Sequence, residues 1–177
     1  MANYVYIASS LDGFIAANGG GLDWLDDIPN PDGSDFGFAD FIENIDALVM
    51  GRNTYEKVLT FGSWPYDKPV FVPSSTELNI PEELKGKVVR VQGTPKELVA
   101  ALKALGHENL YVDGGLTIQG FLEADLIDEM IITRVPVLLG NGVPLFGKLM
   151  ESLHFSHVST DVINDTIVKS HYRRTRE

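Results

Sequence analysis

The 177-residue sequence contains no cysteine, and that absence removes disulfides, thiolate zinc sites and cysteine nucleophiles at once. Basic residues are scarce: 14 Lys and Arg stand against 25 Asp and Glu, a formal net charge of −11. Such a field disfavours nucleic acid and anionic membrane as partners. An anionic ligand must therefore be held by local features working against the overall charge. No apolar run approaches the ~20 residues that span a bilayer. The opening Met1-Ala2-Asn3-Tyr4-Val5 lacks the basic segment and apolar core of a signal peptide, so a cytoplasmic protein is expected. The four histidines, His107, His154, His157 and His171, are not spaced as a helical metal pair, and no metal site is expected. A Gly-x-Ser-x-Gly nucleophile elbow is also missing.

What is present is an ordinary globular composition, 44% apolar and 22% charged, over a length that suits a single domain spanning residues 1–177. Two junctions carry the first chemical signal: Leu48-Val49-Met50-Gly51-Arg52-Asn53-Thr54-Tyr55 and Leu110-Tyr111-Val112-Asp113-Gly114-Gly115-Leu116-Thr117. In each, a short apolar strand meets glycine and opens a helix. The first amides of such a helix have no backbone acceptor and carry the positive end of the helix dipole, which is where phosphates bind. A pair of them, one with Arg52, points to a ligand with two phosphate groups. Read alone, the residues leave open that both are tight turns and that Arg52 is a solvated helix-start residue.

Strand and helix patterns alternate along the rest. Residues 4–8 read as a central strand, and residues 9–30 as a long glycine-bearing loop of the kind that closes over a site or wanders over the surface. Residues 36–45 are expected to be helical with Phe38, Phe41, Ile42 and Ile45 on one face. Strands follow at 47–50, 69–72, 87–91, 109–112 and 128–135, with helices at 54–59 and 116–123. Thr94-Pro95-Lys96-Glu97 is a helix start with a capping box, and Leu98, Ala101, Leu102 and Leu105 are its expected buried stripe. Residues 154–160 and 166–172 alternate around Asn164-Asp165 as an antiparallel hairpin. The pattern implies an α/β three-layer sandwich: a mostly parallel central sheet with helices on both faces and a C-terminal antiparallel hairpin.

Four motifs in order, Ser10-Leu11-Asp12-Gly13-Phe14-Ile15-Ala16, Met50-Gly51-Arg52-Asn53-Thr54-Tyr55-Glu56, Asp113-Gly114-Gly115 and residues 136–146, give the chain a further identity. It resembles the dihydrofolate reductase-like superfamily, in the branch of the riboflavin-biosynthesis (RibD C-terminal) reductase domain. The resemblance implies NADPH lying across the carboxyl ends of the central strands. Gly51, Arg52, Asn53 and Thr54 would face its phosphates, with Arg52 near the 2′-phosphate and Ser74 or Ser75 at the adenosine end. Gly114, Gly115, Leu116 and Thr117 would receive the pyrophosphate, and Ala8 and Ile15 would line the nicotinamide pocket. A homodimer is also implied.

On the acceptor side, folate-reducing members use one carboxylate at the start of the first helix. Counting back from Gly51 puts Asp35 there, where an Asp serves equally well as a helix cap. Asp12 is the second candidate acid, or a turn former. Trp24 either covers the substrate or pins its loop, and Thr133 matches a pocket hydroxyl, with Arg134 beside it. For a ribityl phosphate the acidic chain offers Arg134 and a few lysines. The resulting expectation is an NADPH-dependent reductase of a pterin/folate-like or pyrimidine-like heterocycle. The alternatives are a nucleotide-binding protein of the same fold that has lost catalysis, and a domain whose glycines are only turns.

Overall fold

The computed structural model describes residues 2–176. Its frame is an eight-stranded sheet built around β3 (Ala47–Met50), a four-residue apolar run buried along its whole length. A strand with no polar face must be covered on both sides, and the neighbouring strands show the same demand. In the order across the sheet these are β5 (Val88–Val91), β4 (Val70–Pro73), β3, β6 (Asn109–Asp113), β1 (Ala2–Ser10), β7 (Glu129–Val135), β10 (Ile167–Arg174) and β9 (Phe155–Ile163). All pairings from β5 to β7 are parallel; β10 runs antiparallel to both β7 and β9.

Strand alternation sorts the core into two layers. Ala47, Val49, Phe71, Leu110 and Val112 point to one face, where they meet α3 (Pro95–Ala104) and α4 (Gly115–Glu123) through Leu102, Ile118, Phe121 and Leu122. Leu48, Met50, Val70, Val72 and Tyr111 point to the other, under α1 (Phe38–Glu43) and α2 (Arg52–Val58). The expected apolar face of the first helix is realised, since Phe38, Phe41, Ile42 and Ile45 all pack into this second layer. The helix itself is shorter than the pattern because Phe36 (φ 57°) and Gly37 (φ 88°) are left-handed and Ile45 lies past its end.

Three other details depart from the sequence pattern. Thr94 does cap α3 in a complete capping box, but Ala101 and Leu105 are exposed and Leu105 keeps 67% of its surface. The buried sector of α3 is turned toward Val99, which packs on the core in their place beside Leu102. Residues 9–30 are not a plain loop: β2 (Phe14–Ala17) lies within them and pairs with β8 (Gly142–Pro144), the segment that follows Gly140 and Asn141. At the hairpin the strands run longer than expected and Asn164 and Asp165 both adopt positive φ, the geometry of a type I′ turn.

Candidate cofactor and acceptor site

The chain order puts β6 between β3 and β1, so the carboxyl ends of these three strands open at the point where the winding changes direction. Open α/β sheets bind ligands at that place. Both glycine junctions arrive there. Gly51 caps α2 and its amide donates to the Asp113 carbonyl at 3.2 Å; Gly114 caps α4 with φ 95°.

The two junctions interlock through glycine and threonine. A Cβ on Gly51 would lie 2.5 Å from the Thr117 hydroxyl, and one on Gly114 would run into the Thr54 hydroxyl and come 3.6 Å from the Gly51 amide. Each helix thus sends a threonine into the space left by the other's missing side chain. Neither helix has a side-chain cap, so the amides of Arg52, Asn53 and Thr54 stand close to those of Gly115, Leu116 and Thr117 with no intrahelical acceptor. Leu116 is 75% exposed and leaves its end of the cradle open.

Around this floor the flanking residues are organised by their own contacts. Arg52 pairs with Glu56 at 2.7 Å and hydrogen-bonds the Thr76 hydroxyl, which holds its guanidinium over the turn after β4. The same turn is braced from β5 by Arg90, which donates to the carbonyls of Ser74 and Ser75 at 3.1 and 3.2 Å and to Glu77 at 3.0 Å. Arg90 was missed in the sequence because it sits in an otherwise apolar strand with no motif around it. On the opposite wall, a Cβ on Gly115 would touch the Pro144 carbonyl, Val143 and Ile15 at 3.1, 3.1 and 3.3 Å. The β2–β8 ribbon therefore rests on the start of α4 and brings Ile15 to its edge. Ala8 lies across the sheet from Thr133, whose residue is buried to 7% exposure.

Three carboxylates, Asp12 after β1, Asp35 before α1 and Asp113 at the end of β6, are separated by their surroundings. Asp35 accepts from the amides of Gly37 (2.9 Å) and Ala39 (2.7 Å), the Ala39 bond first in importance, and these hold its carboxyl below the usual range. Asp12 accepts from the Ser10 hydroxyl at 2.6 Å and from the amides of Leu139 and Gly140, and is lowered for that reason, the hydroxyl foremost. Both oxygens of each group serve as loop fasteners. Asp113, at the end of β6, differs. Burial pushes it up to about 6, against the pull of the Gly114 amide (2.8 Å) and the Tyr111 hydroxyl. The signal for Asp113 in the sequence was an acidic residue closing an apolar strand just before the glycine pair. Trp24 is buried at 8% exposure against Val135 and Ile167 and pins residues 9–30 to the sheet, its indole N–H lacking an acceptor. Arg134 is exposed on β7, opposite Val168, on the reverse side of the strand from Thr133.

A sequence profile of the RibD C-terminal domain matches residues 4–169. The chain belongs to the RibD C-terminal domain family. Within reach of this family it is 39% identical over 149 residues to the uncharacterized protein YwjB of Bacillus subtilis (strain 168), covering 82% of each chain. A crystal structure of a Shewanella sp. PV-4 protein named for riboflavin biosynthesis is 52% identical, with TM-score 0.95 over 99% of this chain and 100% of that one. The wider dihydrofolate reductase-like fold is shared with dihydrofolate reductase from Enterococcus faecalis complexed with NADP(H) and RAB-propyl. That likeness has TM-score 0.68 at 19% identity and covers 99% and 97% of the two chains. Membership in the RibD C-terminal family and the mostly parallel sheet with its terminal antiparallel pair agree with the sequence-based expectation. No helix among the described residues is long and apolar enough to cross a membrane, and no group of His, Asp and Glu there has the makings of a metal site.

Proposed function

We propose that the protein is an NADPH-dependent reductase of a small heterocyclic acceptor, pterin- or pyrimidine-like. The observation that carries this reading is the interlocked pair of uncapped helix starts, which offers two neighbouring sets of amides to a diphosphate. Gly51, Arg52, Asn53 and Thr54 would hold one phosphate region, and Gly114, Gly115, Leu116 and Thr117 the other. Arg52 with Ser74, Ser75 and the brace from Arg90 would take a 2′-phosphate by charge-assisted hydrogen bonds. Ala8 and Ile15 would line the nicotinamide pocket. When bound, the cofactor supplies a hydride from its nicotinamide ring.

The chain's own residues then have to orient the acceptor and provide a proton. Asp35 and Asp12, named from the sequence as candidate acids, are held ionised by their amide and hydroxyl donors, which favours a positioning role for both. Asp113, raised to about 6, retains a proton in part of the population near neutrality and is the better proton reservoir. Thr133 would contribute a hydroxyl to the acceptor pocket, and Trp24 would keep the β2 segment in place over it. We include two further elements in the proposal: a cytoplasmic location and a homodimer, the latter supported by the long outer edge of β9 with Val158 and Val162 exposed.

Two measurements test it. Calorimetric titration should show NADPH binding that Arg52→Ala weakens about 10–100-fold. A screen of pterins, pyrimidines and related acceptors should then show loss of reduced-nicotinamide absorbance. Normal NADPH affinity without transfer to any acceptor would favour the nucleotide-binding reading, and absence of NADPH binding would overturn both.

A further inference from the structure

The turn after β4 gathers four charges, two of each sign. Arg52 reaches it from α2 and Arg90 from β5. Each arrives with a carboxylate already attached: Arg52 Nε donates to Glu56 Oε1 at 2.7 Å, and Arg90 Nη1 to Glu77 Oε1 at 3.0 Å. The two arginines are otherwise used differently. Arg90 has all three guanidinium nitrogens engaged, since Nε donates to the Ser74 carbonyl at 3.1 Å and Nη2 to the Ser75 carbonyl at 3.2 Å. It is the brace of the turn. Arg52 gives Nε to Glu56 and Nη1 to the Thr76 hydroxyl, and among the described residues its Nη2 has no hydrogen bond. The Ser74 hydroxyl is spent on the turn as well, donating to the Thr76 carbonyl at 2.8 Å. What is left for a ligand is one nitrogen of Arg52, the exposed Ser75 and Thr76, and the two carboxylates. Glu77 is the freer of these, with 91% of its side-chain surface exposed against 51% for Glu56.

Dinucleotide sites meet a ribose 2′-hydroxyl with a carboxylate and a 2′-phosphate with an arginine. This turn carries both. A 2′-phosphate brings about −1.5 to −2 of charge. At physiological salt, charges farther away than about 8 Å are largely screened, so the groups at the turn set the preference. The two arginines and two glutamates there cancel, and the rest of the chain, acidic overall, adds no positive field. A phosphate would gain a charge-assisted bond to Arg52 and at the same time meet Glu56 and Glu77. A hydroxyl meets the same two carboxylates as hydrogen-bond acceptors. The balance of signs thus works against strong selection of either form.

We propose that Glu56 and Glu77 are specificity-determining residues that hold down the preference for a 2′-phosphate, so that the protein takes NADH as well as NADPH. The inference rests on the reading of the cradle as a dinucleotide site and assigns the selectivity at its adenosine end. Calorimetric titration of the full-length protein with NADPH and with NADH gives the ratio of the two affinities. In the wild type this ratio should lie within about tenfold. Glu56→Gln and Glu77→Gln each keep an oxygen that can accept from the arginine and remove only the charge. Each should move the ratio about threefold toward NADPH, and the double variant about tenfold. The gain should appear as tighter NADPH binding with NADH unchanged or weaker, whereas a loosened turn would weaken both nucleotides together. Thermal melting of each variant checks that the fold survives. A wild-type preference for NADPH beyond the expected range, or a ratio that the double variant leaves unmoved, overturns the inference alone. Failure of the wild type to bind either nucleotide overturns the dinucleotide reading itself, and this inference with it.

Discussion

Gly114→Ala is the substitution with the clearest calculable consequence. The residue sits at φ 95°, ψ 136°, backbone that an L-side chain adopts only at a cost of about 1–3 kcal/mol. Its new Cβ would also collide with the Thr54 hydroxyl and lie 3.4 Å from Thr54 Cβ, an overpacking penalty of about 1–3 kcal/mol if Thr54 cannot turn aside. Together these predict a loss of about 2–5 kcal/mol, a large share of the stability of an ordinary domain. Urea unfolding followed by tryptophan fluorescence measures it. A second variant separates the two causes. Thr54→Ala in the Gly114→Ala background removes the collision but leaves the backbone strain, so the double-mutant cycle should give a favourable coupling of about 1–2 kcal/mol. A Gly114→Ala protein within about 0.5 kcal/mol of wild type, or additive single effects, would refute the account of interlocked junctions.

Other outcomes follow from features already described. Thr94→Ala removes the cap of α3 and should cost about 1 kcal/mol in urea unfolding, with Thr94→Ser nearly neutral. Trp24→Ala should cost about 3–5 kcal/mol and make residues 9–30 the first site of limited proteolysis, because the indole is what fastens them to Val135 and Ile167. Asp113 should leave a signature in the pH dependence of stability. Its folded value of about 6 exceeds the ordinary carboxylate value of about 3.9, so the folded state holds the extra proton between them. Stability from this group is therefore full below about pH 4 and declines as pH rises through 6, with an upper bound of about 3 kcal/mol. Asp113→Asn should remove that decline in urea titrations across pH 4–7, and a slope identical to wild type would contradict it.

Much of the frame was legible because the relevant signals are local. Ala47-Leu48-Val49-Met50 can only be a strand covered on both faces, Thr94-Pro95-Lys96-Glu97 writes its own cap, and Asn164-Asp165 writes its own turn. The missed features depend on partners distant in sequence. Phe14–Ala17 is too short and too close to glycines to announce itself as a strand, and it becomes one only against Gly142–Pro144. The stripe of α3 was assigned from periodicity, which fixes a face but not how that face is rotated against the sheet; Leu105 stayed outside and Val99 went in. Asp35 was found by counting, and counting cannot tell an acid facing a ligand from one facing its own amides at 2.7 and 2.9 Å. Arg90 lies on a strand, and its role is set by the turn it reaches, information that no single stretch of chain contains.

The crossing of threonines and glycines between α2 and α4 also bears on redesign. Four positions, Gly51, Thr54, Gly114 and Thr117, are packed against one another in crossed pairs, so a larger residue at Gly51 needs a smaller one at Thr117, neither threonine can grow against the glycine opposite it, and Gly114 is held by its backbone as well. A library that varies them singly would return mostly unfolded clones. The rim has no such constraint: Arg52, Thr76 and Leu116 are exposed and touch the cradle only from its edge. Efforts to change which nucleotide the protein accepts should leave the floor alone and vary that edge, where a new charge or a new hydroxyl can be placed without displacing a neighbour.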